Sequence, residues 1–379
     1  MSASWPARVL VLAPQVWGAE GGVQRYGRSL LAGLAALRPG ASVELLALRD
    51  RPRRWPRLAM ALEVLAAALP RPGRPRPQLV LCTHLHLAPL ALLAARLAGA
   101  RLWVVAHGIE VWAAPLKGLR SRALLAAHRL LPVSRYTAER LREQLCAGVC
   151  RGGEDLPPWS LLPNTYDARR FCPAARPPAL IARYRLQDGQ PLIFCLTRLS
   201  RGDRAKHLDR LIAAMAELRR SHPDAVLLIG GDGDDRPRLQ ALAREWGVAD
   251  AVLFPGRLAD AELADHYHLA SVFALPSAKE GFGIVFLEAL GCGRPVLAGN
   301  RDGSRDPLAD GRFGLLVDPD QPLAPHLRAL LERRGEPLWF DPPALSASVA
   351  ERFAFPAFCR RLDQLLRAEA ELGAPEAGR

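Results

Sequence analysis

Residues 271–298 read SVFALPSAKEGFGIVFLEALGCGRPVLA, and the order of signals within them decides the fold. An apolar run at 271–275 reads as a strand, a glycine-punctuated stretch follows, 284–291 has the composition of a helix, and 294–298 reads as a second strand. Strand, crossing helix and strand make the βαβ unit of a parallel sheet. The glycines hold the loop open at the helix start, which leaves the backbone N–H groups of Gly283, Ile284 and Val285 for anionic oxygens. Glu280 stands in the loop and Glu288 on the helix, and both carboxylates can accept hydrogen bonds from hydroxyls. A diphosphate flanked on each side by a polyol satisfies all of these groups at once. A nucleoside diphosphate sugar is such a ligand.

The same alternation of short apolar runs with longer alanine- and leucine-rich stretches extends along the chain and occurs twice. In the first half it predicts strands near 8–13, 42–47, 78–82, 101–106 and 130–133, with helices near 23–38, 58–69, 88–98, 118–128 and 135–147. In the second half strands are expected near 191–196, 225–230, 251–254, 271–275, 294–298 and 313–317, and helices near 206–220, 236–246, 260–269, 284–291 and 322–334. At 379 residues the chain exceeds what one core usually organises, so two domains are expected. The proline-rich piece Cys172-Pro173-Ala174-Ala175-Arg176-Pro177-Pro178 suits the connection, giving domains 1–176 and 177–354. The last segment, 355–372, places Phe358, Leu362, Leu365 and Leu366 at helical spacing and must pack on something. Two doubly wound α/β domains in tandem put two sets of strand C-terminal ends toward one cleft, where ligands of such sheets bind.

Further candidates stand at strand ends. Trp17-Gly18-Ala19-Glu20-Gly21-Gly22-Val23-Gln24-Arg25 follows the first strand, and its glycine pair precedes a helix, suiting either a phosphate approach or a plain tight turn. The spacing is not GxGxxG, so a nicotinamide enzyme is unsupported. His107, with Gly108, ends the fourth strand and projects imidazole and carbonyl toward a polar substrate, unless it is structural. Arg198 and Lys206 flank the loop after the first strand of the second domain, where two cations can neutralise a diphosphate or simply stay solvated. The carboxylates Asp232, Asp234 and Asp235 lie among glycines and read as turn chemistry before a helix rather than as a metal site.

Taken in order, these residues resemble the retaining GT-B glycosyltransferases of family 4, also called glycosyl transferases group 1. The resemblance rests on Glu280 and Glu288 in EGFGIVFLEALGCGRPV, Arg198, Lys206, His107 in HGIEVW, Gly21-Gly22, and Pro163-Asn164 with Asp167 and Phe171. It covers nearly the whole chain. It implies that Glu288 binds the ribose hydroxyls, Glu280 a hydroxyl of the transferred sugar, and Arg198 and Lys206 the diphosphate, with help from the amides of Gly283, Ile284 and Val285. Backbone near Arg257 and Leu258 would meet the base, His107 would line the reacting centre, and Gly22 would let donor phosphate or acceptor come close. The final helix, 355–379 with its tail, would return to the first domain. The implied chemistry is transfer of a hexose with retained configuration, the leaving phosphate accepting the acceptor's proton, without metal or other cofactor. Domain closure about the hinge would exclude water. Three departures stand out: His207 where glycine is common, a longer spacing from Arg198 to Lys206, and residues 300–306, NRDGSRD, in place of a GG-containing segment ending in glutamate.

Charge is divided unevenly along the chain. Residues 1–180 hold 25 basic and 10 acidic side chains, and the remainder 26 and 28, within a total of +13. The resemblance gives the first domain to the acceptor. Arg49, Arg51, Arg53, Arg54, Trp55 and Arg57 precede the apolar stretch 58–69, Arg71, Arg74 and Arg76 follow it, and Lys117, Arg120, Arg122 and Arg129 decorate another helix. Such flanks suit docking on an anionic bilayer, against the alternative of a sheet-covering helix with solvated arginines. Nucleic acid is unsupported, since the basic tract holds one aromatic and no recognised fold. The 7 cysteines show no CxxC pair, no apolar run reaches the length of a spanning helix, and the start lacks the order of a signal peptide. The expectation is a cytoplasmic enzyme, peripheral on the inner face of the cell membrane. It would move sugar from a nucleoside diphosphate sugar to a membrane-associated glycan or lipid-linked saccharide. The alternatives are a sugar-nucleotide epimerase or hydrolase on the same fold, or a noncatalytic sugar- or membrane-binding module.

Overall fold

The computed structural model describes residues 5–17, 21–50, 56–112, 116–148 and 156–372. Gly18, Ala19, Glu20, Arg51, Arg53, Arg54 and Trp55, all noted above, lie outside the described residues. The chain forms two compact units, residues 1–165 with 355–379, and residues 166–354. The expected change of domain was at 176/177; the chain changes unit at 165/166. The proline-rich piece lies inside the second unit because its backbone is bonded there: the His268 ring meets the Cys172 carbonyl at 2.8 Å, Arg294 donates to the Ala174 carbonyl, and Arg176 donates to the Leu269 carbonyl.

In the first unit, β1 (Arg8–Ala13), α1 (Gly22–Leu37), β2 (Ser42–Ala47), α2 (Pro56–Ala68), β3 (Leu79–Cys82), α3 (Ala88–Ala98), β4 (Arg101–Ala106), α4 (Ile109–Trp112), α5 (Leu119–Leu125), β5 (Arg129–Pro132) and α6 (Arg135–Gly148) follow one another. The five strands pair in parallel in the order β2-β1-β3-β4-β5. β1 reads RVLVLA and is buried at every position, as a strand covered by helices on both faces must be. Its one charge, Arg8, is met by Glu44 at 2.7 Å and by the Pro75 carbonyl, so the buried cation is paired. α3 presents Ala88, Ala91, Ala94, Ala95 and Ala98 inward, small side chains that let the helix lie close to the sheet.

The second unit contains α7 (Pro178–Arg183), β6 (Leu192–Leu196), α8 (Leu208–Leu218), β7 (Val226–Gly230), α9 (Arg236–Glu245), β8 (Val252–Gly256), α10 (Leu263–Leu269), β9 (Val272–Leu275), α11 (Ile284–Gly291), β10 (Val296–Gly299), β11 (Leu315–Val317), α12 (Ala324–Leu331) and α13 (Pro342–Phe353). Its six strands are again parallel, ordered β11-β10-β9-β6-β7-β8. The order runs outward to one side from β6 and to the other from β9, so the switch point lies between those two strands. Ligands of open parallel sheets bind at the C-terminal ends of such a pair. In the first unit the same reasoning selects β1 and β3.

The last helix, α14 (Phe355–Leu372), belongs to the first unit. Phe358, Leu362 and Leu366 are buried at a spacing of four, and Gly33 of α1 lies beneath them. A Cβ at Gly33 would stand 3.2 Å from Leu362 and 3.3 Å from Phe358, so the absence of a side chain lets the helices approach. Glu369, fully buried, anchors the far end of α14 on Arg101 and Arg129. Arg129 therefore does not decorate a solvated helix as expected; it opens β5 and is committed to Glu369.

Candidate functional site

The loops after β6 and β9, on the two sides of the switch point, carry Lys206 and Glu280. Lys206 Nζ donates to Glu280 Oε2 and to the Lys279 carbonyl at 3.2 Å, with 13% and 22% of the two side chains exposed. The β6 loop reaches this point because residues Arg201–Lys206 coil into a 3-10 turn, capped by Ser200 and held by Asp234, which accepts from the Arg201 amide. This turn absorbs the long spacing from Arg198 to Lys206. Ala278 then donates to the Ala205 carbonyl at 2.7 Å, tying the two loops together. His207, at the end of the turn, has φ 55° and ψ 36°. That left-handed conformation explains why glycine suits this position.

Arg198 is 70% exposed and pairs with Asp203 at 2.7 Å. Gly283 caps α11 with φ 87°, where a Cβ would strike the Phe286 ring. Ile284 and Val285 occupy the first turn of α11, whose amides have no acceptor within the helix. Glu288 lies one turn further and is buried, its carboxylate accepting from the Tyr267 hydroxyl at 2.8 Å. A hydroxyl reaching Glu288 would share its carboxylate with Tyr267. Tyr267 itself is fixed among Phe171, Phe194 and Phe273.

Leu258, after β8, lies over Gly230, where a Cβ would stand 2.8 Å from it; Arg257 beside it is exposed. Gly231 and Gly233 have φ of 121° and 156° and press against the Thr197 and Leu199 carbonyls, so the β6 and β7 loops lie in contact. The carboxylates of this stretch serve the turn: Asp232 accepts from Gly233, Asp234 from Arg201, and Asp235 from Arg238 at 2.6 Å. The Arg238 guanidinium holds the Asp235 carboxyl below its ordinary range.

Gly22 and His107 belong to the first unit. Gly22 is exposed as the first residue of α1. His107 Nε2 donates to the Thr83 carbonyl at 2.9 Å, which fixes the tautomer and leaves Nδ1 to accept. Its backbone N–H donates to Glu110 at 2.6 Å, and the Tyr26 ring meets its face edge-on at 5.0 Å. Burial lowers the His107 pKa against the opposing charge of Glu110 and the Thr83 bond. His84, 6.4 Å from His107 and stacked on His86 at 4.7 Å, is lowered to about 4. Neither His84 nor His86 was expected in the site, yet the signal was present: Thr83-His84-Leu85-His86 directly follows β3.

Elsewhere in this unit, α2 buries Met60, Val64, Ala67 and Ala68 while turning Leu58 and Leu62 outward at 60% exposure each, and Leu69, just after the helix, is 48% exposed. α2 packs on α3 and α3 on α5, where Leu93, Leu97 and Leu119 are also exposed. Arg57, Arg71, Arg76, Arg96, Lys117, Arg120 and Arg122 are exposed on these helices and the segments flanking them. Among the described residues no helix is long and apolar enough to cross a membrane.

Residues 178–338 match the family described as "Glycosyl transferases group 1". The matched stretch lies inside the second unit. The chain is also 40% identical over 245 residues to the GDP-mannose-dependent alpha-(1-6)-phosphatidylinositol monomannoside mannosyltransferase of Mycolicibacterium smegmatis, covering 61% of each chain. It is 35% identical over 263 residues to the D-inositol 3-phosphate glycosyltransferase of Nocardiopsis dassonvillei, covering 66% of this chain and 57% of that one. The chain thus spans about three fifths of the length of these relatives. The structure resembles that of the sucrose-phosphate synthase from Thermosynechococcus elongatus, with a TM-score of 0.74 at 21% identity, over 97% of this chain and 100% of that one. The fold is GT-B, and Arg198, Lys206, Arg257, Leu258, Glu280, Gly283, Ile284, Val285 and Glu288 all lie in the second unit.

Proposed function

We propose that this chain is a retaining glycosyltransferase that moves a hexose from a nucleoside diphosphate sugar to a lipid-linked or other membrane-associated saccharide. The observation that carries the reading is the arrangement at the β6/β9 switch point, where Lys206 faces Glu280 and both stand beside the glycine-opened start of α11. Lys206, the exposed Arg198 side chain and the α11 amides stabilise the diphosphate as charge builds on it, which is the largest single contribution such a site can make. Glu280 accepts from a hydroxyl of the sugar and Glu288 from the ribose. The bond from the anomeric carbon to the phosphate oxygen breaks, a bond to the acceptor oxygen forms on the same face, and the acceptor's proton passes to the leaving phosphate. This fixed cationic set serves the leaving group, so no metal is invoked. His107, neutral with Nδ1 as acceptor, orients a sugar hydroxyl.

The GDP-mannose-dependent phosphatidylinositol monomannoside mannosyltransferase supports GDP-mannose as donor and an inositol lipid as acceptor, and the D-inositol 3-phosphate glycosyltransferase supports an inositol group in the acceptor. A cavity of about 620 Å³ along β2, lined by Trp17, Glu44, Asp50, Glu63, Arg71 and Arg74, has the polarity to take a saccharide headgroup. The outward leucines of α2, α3 and α5, with the surrounding arginines, suit an anionic bilayer from which such a lipid would be drawn, with the enzyme peripheral on the cytoplasmic face. A thermal-shift panel of UDP-, GDP- and ADP-sugars tests the donor assignment. A stabilising donor should raise Tm by several degrees at ~100 times its Kd, and this shift should vanish in Lys206→Ala. A panel without any shift would count against the reading.

A further inference from the structure

Asp302 is fully buried in the loop after β10, yet both of its oxygens are used on backbone. Oδ2 accepts from the Glu280 amide at 2.6 Å and Oδ1 from the Ser304 amide at 2.9 Å. The next residue grips Glu280 through its other backbone group, Gly303 N–H donating to the Glu280 carbonyl at 2.8 Å. There is no room for a side chain at Gly303: a Cβ would meet the Gly281 carbonyl and stand 2.7 Å from the Glu280 oxygen. The loop after β10 therefore clamps Glu280 at N–H and C=O, while the Glu280 carboxylate projects to Lys206. A carboxylate without a counter-cation in hydrogen-bond contact is costly to bury, and hydrogen bonds from fixed amides are what offset that cost.

We infer that Asp302 is a positioning residue of the donor site: it fixes the backbone of Glu280 and thereby the point where the Glu280 carboxylate meets Lys206 and the donor sugar. The inference rests on the donor-site reading above. The electrostatics agree with the geometry. Burial pushes the Asp302 carboxyl up to about 6, its bonds with Ser304 oppose this, the Glu280 charge adds to it and Lys206 reduces it. Protonation turns one accepting oxygen into a donor and releases one amide, so the clamp loosens as pH falls from 7 to 5.

Asp302→Ala and Asp302→Asn, compared with wild type and Glu280→Ala, test this in two ways. Hydrogen–deuterium exchange of the peptide containing Glu280 reads the clamp in the absence of ligand. Calorimetric affinities for GDP and for GDP-mannose read what the sugar adds. Asp302→Ala should speed exchange at Glu280 by ~10-fold or more, with Asp302→Asn in between because the amide retains one acceptor. GDP affinity should stay within about threefold of wild type, while the extra affinity contributed by mannose is lost to the same extent as in Glu280→Ala. The double variant should lose no more than Glu280→Ala alone. Unchanged exchange at Glu280 in either folded variant would overturn the clamp. Equal loss of GDP and GDP-mannose affinity would overturn its specific action through Glu280. A wild type that binds neither nucleotide would defeat the donor-site reading instead, with the exchange result still deciding whether Asp302 holds Glu280. If Asp302→Ala does not fold, Asp302→Asn carries both measurements.

Discussion

Lys206 and Glu280 are 74 positions apart in sequence and in contact in the fold, each largely withdrawn from water. Removing either leaves a half-buried charge uncompensated, so Lys206→Ala and Glu280→Ala should each destabilise the fold by ~1–3 kcal/mol in urea titrations. The double variant should cost less than the sum, with a coupling of about 1 kcal/mol or more; additivity would mean that the pair contributes nothing as a pair. The histidines of the first unit give a pH dependence. His84 has a folded pKa of about 4, below the ordinary imidazole value of 6.5, because burial opposes its charge; Glu110 works the other way, and His107 and His86 add to the depression. A depressed folded value means stability that is present above the unfolded pKa and lost as pH falls through the folded one. Between pH 7 and pH 5 His84 alone should cost the unit about 2 kcal/mol, and His84→Gln should flatten that part of the stability curve. An unchanged curve would show that the ring titrates normally.

At the scale of elements, the 3-10 turn ending at His207 stores a correctable strain. A non-glycine residue at φ 55° costs ~1 kcal/mol, so His207→Gly should stabilise the second unit by about 0.5–1 kcal/mol while leaving the Lys206–Glu280 contact in place. Gly303→Ala should do the reverse, since a Cβ there displaces the β10 loop from Glu280; a loss of about 2 kcal/mol or more is expected in denaturant titration. These two positions mark how far the sequence could be read. β1, β2 and β4 have the bounds expected from the sequence, and α3 and α11 likewise. The helix expected from 206 begins at Leu208, because the backbone first passes through the left-handed residue. α7 and α13 were not foreseen. α7 is six residues long, too short for a periodic signal, whereas α13 carried a legible start in Asp341, whose side chain caps Ala344, followed by Pro342 and Pro343. Glu280, Lys206 and His107 were legible because strand ends and glycines point to them. Asp302, His84 and the Lys206–Glu280 contact were not, since they depend on which loops the strand order brings together.

For the molecule as a whole, the excess positive charge of residues 1–180 has a structural counterpart in the outward leucines of α2, α3 and α5 with their arginines. Leu58→Ser with Leu62→Ser removes apolar surface without touching the buried side of α2. It should weaken binding to anionic vesicles by ~10-fold or more while leaving Tm within a few degrees. Binding that is insensitive both to these changes and to salt would argue against bilayer docking. α14 closes the chain onto the first unit, and Leu362→Ala should cost that unit ~2–5 kcal/mol by opening a cavity beside Gly33. The central claim is that the chain transfers a sugar through the donor site built on Lys206 and Glu280. It is tested most directly by incubating the protein with radiolabelled GDP-mannose and inositol lipids, beside Glu280→Ala matched for circular dichroism. The account predicts label in the lipid fraction with wild type and a fall of ~100-fold or more with the variant. Equal labelling by both proteins would contradict it.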